Sequence, residues 1–291
     1  MNVDAPWPPP SRYGERSVAI ANDRREVVRR SVESLADMPE DLPRAALVGG
    51  LAVMVRLYES HRVTTDFDEV TDARDTMIDL LLARGAVRTA NGVSLPEFGV
   101  QLDLIDAALS LKDLAAIAEA AAAQPLTDLE RGALQLALVS RYALETATAT
   151  TILVVDQGEV VARVALPVAL AGSLVAMKVH AATQPTRRTD KAAGDIYDAY
   201  RLVRAWGPSV IADDLSHAPI VMLRTVVDQI AQLYVTGAER SARQLRAASM
   251  PGVQAVDADD LEAVGELSAA IEPFLQWDAP VVPAEREEAK R

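Results

Sequence analysis

Three short pieces of chain constrain this sequence more than any other feature: Val48-Gly49-Gly50, Thr64-Thr65-Asp66-Phe67-Asp68 and Gln101-Leu102-Asp103-Leu104. On a strand, Asp66 and Asp68 project to one face while Phe67 points to the other, into a core. Glycines at 49 and 50 let the backbone approach a ligand and permit positive φ. A helix opening at such a turn exposes unpaired N–H groups suited to phosphates. The third carboxylate, Asp103, stands in an apolar run, where unpaired burial would be unfavourable and a bound cation would compensate it. Together the pieces predict an oxygen cage for divalent cations beside a phosphate-binding turn, the surroundings a nucleoside triphosphate with magnesium needs. Taken singly each has a plainer reading: a strand-to-helix turn, a solvated strand end, an aspartate paired with arginine.

Half of the 291 residues are apolar and only 4% are aromatic, so a sizeable core of small and branched aliphatics is expected, favouring many helices around a modest sheet. The absence of cysteine excludes disulfides and thiolate zinc sites, and His61, His180 and His217 are too scattered for a histidine-rich metal centre. A net charge of −13 argues against a general nucleic-acid binder, leaving room only for a local basic patch. No uncharged apolar run reaches about 18 residues and the N-terminus lacks a signal-peptide layout, so a cytoplasmic location without membrane contact is expected.

Helical spacing is read over Ser17 to about Met38, followed by a short buried strand at Ala45–Val48 and a helix over Leu51–Glu59. A strand at Asp66–Val70, a helix at Asp72–Arg84 and an extended stretch from Ala86 to Asp106, turning at Asn91-Gly92, complete a compact unit. Helices are expected at Lys112–Ala123 and Asp128–Leu138, then a hairpin around Asp156-Gln157-Gly158. From Val168 onward the pattern is helical over 168–182, 191–206, 208–215, 218–248 and 258–276. The fold class is therefore α+β (mixed α/β): a small mixed sheet in a domain over 16–165, a mostly helical domain over 166–277, and flexible tails at 1–15 and 278–291.

The order Gly-Gly, helix, Arg-x-Thr-x-Asp-x-Asp, then a later apolar strand with Asp, over roughly residues 44–106, resembles the nucleotidyltransferase fold of the DNA polymerase β superfamily. It looks most like the AbiEii/MenT group of toxin nucleotidyltransferases. Gly50 stands where a common version of the motif has a phosphate-binding serine, so the grip would rest on backbone amides and on cations from elsewhere. The resemblance extends to Lys178 in Leu174-Val-Ala-Met-Lys178-Val-His-Ala, to Arg187-Arg188-Thr189-Asp190-Lys191, and to Asp195 in Gly194-Asp195-Ile196-Tyr197-Asp198.

That resemblance implies a magnesium- or manganese-dependent nucleotidyltransferase, attacking the α-phosphate of a nucleoside triphosphate with an acceptor hydroxyl. Asp66, Asp68 and Asp103 would be catalytic and hold the metal. Gly49, Gly50, Arg62, Thr65, Arg187 and Arg188 would bind the nucleotide. Lys178 would contact the triphosphate, and Asp195 would orient Lys178 or a substrate hydroxyl; the plainer readings are a snorkelling lysine and a solvated charged loop. The implied acceptor is the 3′ end of tRNA and the implied partner a cognate antitoxin; an RNA acceptor fits the acidic chain if the fold brings Arg187, Arg188, Lys191, Arg240, Arg243 and Arg246 to one face as a cationic patch. Two alternatives stay open: AMP transfer to a protein hydroxyl, and a non-catalytic partner-binding module of the same fold.

Overall fold

A computed structural model describes residues 17–23, 26–39, 41–59, 66–121, 126–248 and 255–275. The expected tails at 1–15 and 278–291, and the candidate residues Arg62 and Thr65, lie outside them.

The described residues run through strand β1 (Ser17–Ala21), helix α1 (Val27–Ala36), strand β2 (Ala45–Val48), helix α2 (Gly49–Leu57), strand β3 (Asp66–Thr71) and helix α3 (Arg74–Ala83). Strands β4 (Val87–Arg88), β5 (Gly92–Leu95) and β6 (Val100–Asp106) follow, then helices α4 (Leu111–Ala121) and α5 (Asp128–Thr146). The long hairpin of β7 (Thr148–Asp156) and β8 (Glu159–Val168) leads into α6 (Ala171–Thr183), α7 (Thr189–Trp206), α8 (Pro208–Leu215), α9 (Ile220–Ile230), α10 (Ala238–Ala248), α11 (Ala258–Glu262) and α12 (Glu266–Leu275).

The described strands join one mixed eight-stranded sheet in the order β1-β7-β8-β2-β3-β6-β5-β4. The sheet is larger than the sequence reading expects because the helix placed from Ser17 is, at its start, a strand. Val18 and Ile20 are buried between exposed Ser17, Ala19 and Ala21, a two-residue period, and β1 pairs in parallel with β7. Helix begins only at Val27, where the Asp23 carboxylate accepts from the Val27 and Val28 amides at 3.3 and 3.0 Å.

The helix expected over 218–248 is likewise interrupted. A π turn at Ala231–Val235 separates α9 from α10, closed by Thr236 N–H donating to Ala231 O at 2.9 Å. α5 runs eight residues beyond its expected end, to Thr146, and starts at a capping box in which Thr127 and Glu130 satisfy each other's backbone. The β7–β8 turn falls at Gln157-Gly158 as read, both in the left-handed region that a tight hairpin requires.

Buried apolar residues from Val18 to Ile271 form one continuous cluster, so sheet and helices share a core. α2 lies at its centre, with every residue from Gly50 to Leu57 buried. Even Arg56 is only 5% exposed, and its guanidinium donates to Ala169 O at 2.7 Å, Val168 O at 2.5 Å and Thr148 Oγ1 at 2.8 Å. A buried guanidinium tolerates this place because carbonyls at the end of β8 take its donors. Residue 165, the expected end of the first domain, lies within β8. Among the described residues no helix is long and apolar enough to cross a membrane.

Candidate active site

β2 and β3 are antiparallel with Val48 opposite Asp68, and β3 and β6 are parallel with Asp68 opposite Asp103. The last residue of β2, the second aspartate and the third aspartate therefore sit in one row across three strands. Neighbouring strands lie about 5 Å apart, so the row is compact. Asp66 is the first residue of β3, its Cα paired with Gln101.

At the end of that row the backbone turns at Gly49, with φ +68°, and enters α2 directly. A Cβ at residue 49 would overlap the Asp68 carboxylate, lying 2.7 Å from its Cγ. Glycine is thus demanded twice, by the left-handed backbone and by the carboxylate pressed against it. α2 has no side-chain N-cap and no acid in its first turn.

Asp103 and Asp68 are both half-buried. Gln101, two residues along β6, donates through Nε2 to Asp103 Oδ1 at 2.6 Å and fixes that carboxylate's orientation. On the far side of β6, Gly92 pairs with Asp103 so closely that a Cβ at 92 would be 3.2 Å from Asp103 Cα. α3 braces the same strand through Arg74, which donates to Leu104 O at 2.8 Å and Asn91 O at 3.0 Å. Two carboxylates opposite each other on adjacent strands repel. A divalent cation relieves that repulsion, and hard carboxylate oxygens are the donors magnesium takes. Among the described residues no group of three or more metal-ligating side chains occurs; the Asp66 side chain is outside that description.

Lys178 and Asp195 meet in a second cluster. α6 and α7 pack side by side, and the Lys178 ammonium lies 3.0 Å from Asp195 Oδ1 and 2.7 Å from Asp198 Oδ2. Arg187 closes the other side of Asp195, its Nε and Nη2 at 2.9 and 2.5 Å from Oδ2. Side-chain exposure is 9% for Lys178, 3% for Asp195 and none for Asp198, so the ions are desolvated and hold together only as a set. Among the described residues two cations face two anions in this cluster.

The buried Tyr234 hydroxyl donates to Ile196 O at 2.8 Å beside it, and burial, reinforced by Asp195 and Asp198, holds its phenol well above the usual range. Arg188 does not enter the cluster: its guanidinium forks onto Asp190 at the exposed start of α7. Of the other residues in the expected cationic patch, Arg240, Arg243 and Arg246 lie on α10, which packs on α7 with Gln244 donating to Thr189 O at 3.1 Å.

α6 and α7 both pack against α2, the helix that opens at Gly49, so α2 connects the two clusters. At its far end Trp206 Nε1 donates to Arg56 O at 3.0 Å and Arg201 pairs with Glu59. His180, on α6, is buried and its pKa is pushed down to about 4 by desolvation, leaving a neutral ring beside Gln229.

The sequence reading assigned no role to Asp198, the closer of the two anions on Lys178. Its signal was the three-residue spacing from Asp195, which places both acids on one face of a helix. Comparison with family models, with curated proteins and with solved structures finds no match to this chain.

Proposed function

We propose that the protein is a nucleotidyltransferase using a divalent cation, and the observation that carries this reading is the pairing of Asp68 with Asp103 beside the turn at Gly49. A left-handed glycine at the start of α2, pressed against one carboxylate with a second in paired register, would offer phosphate amides and metal oxygens together. In this reading an acceptor hydroxyl attacks the α-phosphorus. A new P–O bond forms, the bond to the β-phosphate oxygen breaks, pyrophosphate leaves, and the hydroxyl proton passes to Asp103 or to solvent. Asp68 and Asp103, with Asp66 on the same strand, would hold magnesium or manganese, whose bound form supplies Lewis-acid stabilisation of the reacting oxygens. Lys178, held in place by Asp195 and Asp198, would face the triphosphate, and Arg187 would support it.

The acceptor we propose is the 3′ end of tRNA, with α10 and the start of α7 as the basic approach, in a toxin that a cognate antitoxin protein neutralises. Incubation with each α-labelled triphosphate, magnesium and either total RNA or cell protein tests this. Label in RNA is expected, and Asp68→Asn should lower transfer by about a hundred- to a thousandfold, the scale of losing a main electrostatic contributor. Label in protein would move the acceptor to a protein hydroxyl. No label from any donor would leave a binding module and overturn the enzymatic reading.

A further inference from the structure

β3 carries different chemistry on its two faces. Asp68 meets Gly49 on one, and Glu69, the next residue, points to the other, into a groove of about 660 Å³. This groove lies between the end of α1, the segment leading into β2, α3 and β8, with Leu35, Met38, Leu42, Met77 and Leu166 in its apolar walls. Its volume falls in the range of about 300–1,000 Å³ typical of small-molecule sites, which are mostly apolar with a few convergent polar groups.

Glu69 is 4% exposed, and its Oε2 has no hydrogen-bond partner among the described residues. Two arginines line the same groove without pairing with it: Arg44 donates to Leu144 O at 3.1 Å, and Arg163 is exposed. A buried carboxylate left without a donor is unfavourable by a few kcal/mol. One open edge runs along the wall as well, since β8 pairs with β7 over its length but with β2 only at Val168.

We infer that this groove binds a small organic cation, an alkyl chain ending in a primary ammonium or guanidinium, with the charged end on Glu69 and the chain along the apolar walls. The Glu69 end selects the charge: Arg44 is held on Leu144 O and Arg163 stands exposed, so neither neutralises the carboxylate, whereas a ligand's ammonium or guanidinium would. The site stands apart from nucleotidyl transfer and is tested without it.

Calorimetric titration of the full chain at pH 8 with n-hexylamine, agmatine and neutral 1-hexanol is the test. The two cations should bind, and Glu69→Gln, which keeps shape and removes charge, should weaken them by about tenfold or more while leaving 1-hexanol unchanged. Ala165→Trp, at an exposed position of the wall, should block all three without touching Glu69. Absence of binding by either cation, or equal affinity in wild type and Glu69→Gln, overturns the assignment. Binding only of a capped lysine-containing pentapeptide would give the groove to a protein partner's side chain and overturn it too.

Discussion

Replacing Lys178 by alanine is expected to destabilise the protein by on the order of 3–5 kcal/mol, the range found when one member of a buried ion set is removed. The ammonium stands between the Asp195 and Asp198 carboxylates at 3.0 and 2.7 Å, and both acids are nearly or fully buried. Without it, Asp195 keeps only the half-exposed Arg187, and Asp198 loses a close desolvated cation. Chemical denaturation at pH 7 reads the loss directly. A companion variant, Lys178→Met with Asp195→Asn and Asp198→Asn, should recover much of it, because neutral amides in the same places carry no uncompensated charge. If Lys178→Ala costs less than about 1 kcal/mol, the cluster is solvated and its ions are held by water.

Gly49→Ala should destabilise by about 2–4 kcal/mol, from two additive sources. The left-handed backbone at φ +68° disfavours any Cβ by about 1–2 kcal/mol. The remainder comes from the Cβ overlapping the Asp68 carboxylate, which forces either the aspartate or the turn to move. Gly85 separates the two: its φ is +92° but a Cβ there meets nothing within 4 Å, so Gly85→Ala carries backbone strain alone. Equal losses at the two positions would show that Asp68 does not press on the turn. A larger loss at Gly49, relieved in the Gly49→Ala/Asp68→Gly double variant, would show that it does.

The stretch from β2 to β6 was legible because each element is short and bounded by residues with one strong preference. Ala45–Val48 ends at a double glycine, Asp66–Thr71 opens on the Asp-Phe-Asp alternation, and Val100–Asp106 alternates in burial along most of its length, which leaves Asp68 opposite Asp103 in a parallel register. β1 was not legible as a strand, since Val18 and Ile20 fit a two-residue period while Val27, Val28 and Val32 continue a helical one. Asn22 and Asp23, which interrupt the two, are the cue. The π turn at 231–235 inserts itself without disturbing the apolar pattern on either side, so spacing alone misses it.

Site residues divide the same way. Gly49 and Asp68 announce themselves by type and spacing, whereas the embrace of Lys178 by two acids exists only once α6 and α7 lie together. Glu69 was illegible for a related reason. One acid in an alternating strand reads alike whether its face meets water or, as here, the closed side of a groove.

The most direct measurement is a manganese titration of the full chain followed by electron paramagnetic resonance, with a nucleoside triphosphate present. Mn²⁺ should be bound by the wild-type protein, and Asp68→Asn and Asp103→Asn should each weaken it by about tenfold or more, since each removes one hard anionic oxygen donor. Manganese affinity unchanged in both variants would place the cation elsewhere and contradict a catalytic centre built on Gly49, Asp68 and Asp103.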